Sequence, residues 1–186
     1  AFEIYNKKYW AKDENKHLVE NASQKLRDFL NEKAALEDVF DIEKWAAYFA
    51  IVDMTSTYHG ILLKSVKFYY NPINGLFEPI PFDGHRLKPN YHKYNRNYDD
   101  RLLIDIVNSQ TNLGTGFAHW LNFFFYIKNG ELNSLFYNTY IKNLSIVSSK
   151  EYSDKFLAEN LNKIKEINAH IYSDYFFYDS SRNYTM

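Results

Sequence analysis

Two aspartates and a histidine carry the chemistry this sequence could do. Asp53 stands inside FAIVDMTSTYHG, Asp83 near the end of KFYYNPINGLFEPIPFDG, and His59 between them beside Gly60. A carboxylate at the end of a β-hairpin is held still enough to serve as a metal ligand, and a second acid nearby could orient a hydroxyl or take its proton. His59 could be a base, a phosphate contact or an orienting donor. Plainer readings exist for all three: Asp53 can end a helix, Asp83 can cap the turn after a strand, and His59 can be a core or surface histidine. Against the plain reading of the aspartates stands the aromatic and apolar sequence around both, which would bury them and demand partners.

A basic stretch follows, with His85, Arg86, Lys88, His92, Lys93 and Arg96. It could grip phosphate or an acidic peptide, or simply be a solvated loop. No glycine-rich phosphate loop, HExxH zinc helix or GxSxG elbow occurs, which removes P-loop hydrolysis, zincin proteolysis and the usual serine hydrolases.

The elements that must position these residues follow from periodicity. Leu18, Val19, Ala22, Leu26, Phe29 and Leu30 recur at helical spacing and predict an amphipathic helix packed on a core. A second helix is predicted to start after Asp41, which serves as its cap, with Phe40 and Trp45 closing a hydrophobic staple. Trp45, Ala46, Phe49, Ala50 and Val52 form its buried stripe, and it runs out between Asp53 and Ser56. Alternation then predicts a strand over Val66 to Tyr70, a turn at Asn71, Pro72, Asn74 and Gly75, and a return strand over Leu76 to Ile80. Gly84 to Asn97 reads as a loop. Helical spacing returns at Leu102 to Val107, from Phe117 to Ile127, from Leu132 to Leu144, and in a last long helix whose buried side carries Phe156, Leu157, Leu161, Ile164, Ile167, Ile171 and Tyr172. The tail Tyr175 to Met186 has little period. The expected fold is therefore a mostly helical α+β single domain over 1–186, with one central β-hairpin at about 65–81.

Bulk properties narrow the partners. The 186 residues carry a net charge of −1, so no general field favours nucleic acid or an anionic membrane. No apolar run approaches the ~20 residues needed to span a bilayer. The absence of cysteine excludes disulfides, thiolate zinc, iron–sulfur clusters and thiol nucleophiles. The chain begins at Ala1 and reads as an excerpt or a processed product.

VFDIEKWAAYFAIVDMTSTYHG followed by KFYYNPINGLFEPIPFDG resembles the CotH kinase family, named after a spore-coat protein kinase. In that family a helix ending in Asp, a His-Gly-like loop, an FYYNP strand, a GxxEPI return strand and a following Asp form one block, which this chain matches from Val39 to Gly84. The resemblance implies an atypical kinase-like fold that transfers the γ-phosphoryl of ATP, with magnesium or manganese, to protein Ser/Thr hydroxyls. It implies Asp83 as the metal aspartate and Asp53 as the acidic residue of the catalytic-loop region that orients the acceptor hydroxyl or takes its proton, with His59 kept as the second catalytic candidate from its own chemistry. Ser65 stands where relatives often read asparagine and, with Arg86 of the basic loop, is the cofactor-binding candidate. The acceptor would be a protein, such as a spore-coat or cell-surface protein, in an extracellular or cell-surface setting. Nothing before Val39 has the strands or the strand-borne lysine of a nucleotide-binding lobe, so the chain is expected to match the C-terminal lobe only. The alternative is a non-catalytic secreted or cell-surface binding or scaffold module, whose 17 Tyr, 15 Phe and 3 Trp would contact glycans or proteins.

Overall fold

The computed structural model describes residues 3–84, 103–108 and 117–174. These form eight α-helices and one two-stranded antiparallel sheet among the described residues, a mostly helical α+β arrangement. The chain divides into two compact units, Ala1–Leu144 and Ser145–Met186.

In the first unit, α1 (Lys7–Trp10) and α2 (Asp13–Leu30) lead to the short α3 (Leu36–Val39) and then α4 (Ile42–Thr55). The predicted apolar stripe of α2 is only half-buried, and Leu30 is exposed. α4 forms as its sequence dictates. The Asp41 carboxylate accepts the free Lys44 amide at 3.1 Å, and Phe40 meets Trp45 edge-on at 5.8 Å, which completes the staple. Trp45, Ala46, Phe49, Ala50 and Val52 are all buried.

The core these residues enter is largely aromatic. Phe124 and Phe125 of α6 (Phe117–Phe125) and Phe136 of α7 (Ser134–Val147) pack on Phe49, while Trp45 lies 4.8 Å from Phe124 between ring centroids. Most of these are edge or tilted contacts, which avoid laying the negative ring faces on one another, while Phe49 and Phe125 stack at 6.1 Å. Two indoles find acceptors here: Trp45 Nε1 donates to the Phe77 carbonyl and Trp120 Nε1 to the Ile61 carbonyl, both at 2.9 Å.

The hairpin joins β1 (Lys67–Asn71) to β2 (Leu76–Ile80), with Lys67 opposite Ile80 and Asn71 opposite Leu76. Asn71 and Asn74 accept the Ile73 and Leu76 amides with their side chains, and Gly75 supplies the φ of 69° that the turn needs. β1 starts one residue later than expected because the Val66 amide is taken by the Leu62 carbonyl. The hairpin is fastened to the start of α4 in two ways. The Asp41 amide donates to Phe77 at 3.0 Å, and Glu78 accepts from Lys44 at 2.7 Å and from Asn71 at 2.8 Å.

α6 stops two residues short of its expected end. The Asn129–Gly130 turn, with Gly130 at φ 80°, draws Tyr126 into a bridge with Leu132 and lets Ile127 donate to Glu131. In the second unit, α8 (Lys150–Asp174) forms at the expected place but not with the expected burial. Phe156, Leu157, Leu161 and Ile167 are exposed and Ile164 and Ile171 half-buried, while the Tyr172 side chain lies outside the described residues. A 3.6-residue period sets which residues share a face and leaves open what covers it. No helix among the described residues is long and apolar enough to cross a membrane.

Candidate functional site

The site is built where α4 ends. Ser56 sits in the left-handed region at φ 53°, and its amide and that of Thr57 return to Asp53 and Val52, which closes the helix. The chain then makes a 3-10 turn over Tyr58–Ile61 that carries His59. Gly60 is required here: a Cβ would stand 2.8 Å from the Phe82 carbonyl oxygen and 2.9 Å from the Tyr48 hydroxyl. The missing side chain thus lets the turn press directly on the segment that leaves β2. Burial pushes the Tyr48 phenol above its ordinary pKa, which keeps it neutral beside this contact.

That close approach brings His59 and Asp83 together. His59 Nδ1 lies 2.9 Å from Asp83 Oδ2 and 3.3 Å from the Asp83 carbonyl oxygen, with the histidine side chain 15% and the aspartate side chain 38% exposed. A carboxylate at this distance favours the tautomer with its proton on Nδ1 and makes Nε2 the basic nitrogen. Asp83 itself adopts φ 54°, a left-handed conformation that costs a residue with a Cβ about 1 kcal/mol and is found at turns and working sites. Phe82 projects beside it, half its surface exposed, with Lys67 Nζ 4.5 Å from its ring centroid.

Asp53 sits behind this surface. It is buried, and both of its oxygens are engaged: Oδ1 by the Tyr58 hydroxyl at 3.1 Å, Oδ2 by the Tyr140 hydroxyl, and both by the Leu103 amide at 3.1 and 3.2 Å. The partners expected of a buried carboxylate are therefore present. Its placement is that of a hub joining α4, the 3-10 turn, α7 and the start of α5 (Leu103–Asn108). Both faces of the carboxylate already hold donors, so an acceptor hydroxyl has to displace one to reach it.

Two sequence candidates remain. Ser65 is buried in the turn before β1, where its amide donates to Leu62. Arg86 and the rest of the basic loop lie outside the described residues. Three participants had no functional reading in the sequence. Tyr58 and Gly60 adjoin His59 and could have been found from that neighbourhood, whereas Tyr140 looked like one more apolar position on a helix face.

For a divalent metal, no three His, Asp or Glu residues gather closely enough among the described residues to form a cage. Magnesium is commonly held by one or two carboxylates, with water and substrate phosphates completing the octahedron. Asp83 fits that lesser requirement as a single carboxylate arm. A comparison of the chain with protein-family models, curated proteins and solved structures finds no significant match in any of the three.

Proposed function

We propose that the chain is the helical lobe of a CotH-like protein kinase, acting in phosphoryl transfer from ATP to Ser/Thr hydroxyls of a protein acceptor at a spore or cell surface. The observation that carries this reading is the His59–Asp83 pair, seated where a rigid hairpin leaves the core and pressed against the turn after α4 by Gly60. Phosphoryl transfer asks little covalent chemistry of a protein and much positioning, and a pair locked on two short segments of a rigid frame supplies that. Magnesium or manganese, when bound with ATP, would neutralise phosphate charge, with Asp83 as the protein's carboxylate. His59 handles the proton of the acceptor hydroxyl, and Asp53 acts from behind by orienting the turn. Ser65 and Arg86 stay on the nucleotide side, on the resemblance alone.

The alternative of an aromatic-lined binding module would rest on aromatics exposed among the described residues, such as Tyr5, Tyr69, Phe82 and Phe123, and not on those of the core. Trp45, Phe49, Phe124, Phe125, Phe136 and Tyr140 are fully buried and serve the core instead of a surface.

The isolated chain should bind nucleotide weakly and transfer phosphate slowly or not at all. The test is NMR titration with ATP and magnesium at millimolar concentration, which should move the His59 and Gly84 resonances and fail to do so in Asp83→Ala. Unmoved resonances in the wild-type chain would sink the reading.

A further inference from the structure

We propose that Asp53 and Tyr140 form a buried positioning pair that sets the His59 imidazole against Asp83. This rests on taking His59 and Asp83 as the working site. Tyr140 reaches in from α7, fully buried with its ring edge-on to Phe125 at 5.3 Å, and its hydroxyl donates to Asp53 Oδ2. The other oxygen, Oδ1, accepts from the hydroxyl of Tyr58, the residue directly before His59. On the other side of His59, Gly60 is wedged against the Phe82 carbonyl. The histidine is thus held through both chain neighbours, by a hydrogen-bonded anchor before it and a steric stop after it.

A core that needed only stability would be filled as well by apolar side chains of the same volume, because desolvating a carboxylate offsets what its hydrogen bonds return. Directional bonds add orientation, which packing alone does not supply. The Leu103 amide is shared between both oxygens and so does not distinguish them. The tyrosine hydroxyl on Oδ2 fixes the carboxylate plane, and through it the direction in which Tyr58 is pulled.

The experiment is 15N NMR of the imidazole rings in the full chain, which reads tautomer and hydrogen bonding without nucleotide. Tyr140→Phe keeps the ring and removes only the hydroxyl. It should turn the single Nδ1–H form of His59 into an averaged pattern with a lost or broadened Nδ1 proton, and Tyr58→Phe should do the same. Phe136→Leu removes core volume but no side-chain hydrogen bond, so it should lower the melting temperature and leave the His59 signals in place. If Tyr140→Phe and Tyr58→Phe both leave those signals as in the wild type while Asp83→Asn changes them, the positioning role is wrong and the site reading stands. If Asp83→Asn leaves them unchanged as well, the pair itself is not formed and both readings fall.

Discussion

α4 and α8 are both amphipathic helices that start where their sequences say, yet they are held by different forces. α4 is bound from a distance. Its indole donates to β2, its cap shares Lys44 with Glu78, and its last buried residue is bonded by groups from α5 and α7. The contacts described within α8 are local: Lys150 pairs with Asp154 and Lys155 with Glu159 one turn on, Asn160 donates to the Phe156 carbonyl, and Tyr152 stacks on Phe156. Pairs of that kind contribute only a few tenths of a kcal/mol each. The contrast teaches that a stripe of apolar residues becomes a core only when other segments bring partners to it, and that a functional hub grows where such long-range partners converge.

The contrast can be broken at its strong end first. Trp45→Ala should cost about 3–5 kcal/mol in urea unfolding, because it empties a site ringed by aromatic side chains and removes one of the two donors on the Phe77 carbonyl. Gly60→Ala comes next, at about 1–3 kcal/mol, since the Phe82 backbone must yield to the new methyl. It should also part His59 from Asp83, visible as a change in the His59 ring resonances.

A smaller effect is expected at the clasp between α4 and the hairpin. The Lys44 ammonium, bonded to Glu78, holds that carboxyl below its ordinary 4.5, and Glu78 in turn raises Lys44. A depressed carboxyl stabilises the fold fully above its unfolded value, and that stabilisation is lost as the pH falls through the folded one. The stability advantage of wild type over Glu78→Gln should therefore be present at neutral pH and shrink below about pH 4.5, followed by melting temperature across the acid range. Smallest of all is Leu161→Ala on the exposed stripe of α8, expected to change stability by no more than about 0.5 kcal/mol. A loss approaching that of Trp45→Ala would mean that α8 has a cover and that the contrast is false.

Much of the frame was legible. The cap at Asp41, the staple of Phe40 on Trp45 and the bounds of β2 all depend on neighbours within a few residues, so local chemistry reveals them. The start of β1 was missed by one residue, and the end of α6 by two, because a turn on the far side of each claimed the backbone groups. At the site, the sequence pointed to Asp53, His59 and Asp83 but not to their relation. His59 and Asp83 meet because Gly60 lets two backbones touch, and Asp53 is drawn inward by Tyr140, which lies 87 positions further along the chain.

By itself, then, the sequence determined the elements and their faces, since periodicity, caps and turn residues act over one or two turns of chain. Tertiary structure alone decided which face found a cover, which carboxylate went inside and which came to rest against a histidine. Burial and hydrogen-bond satisfaction depend on groups supplied from distant segments, and no local pattern encodes who those partners are.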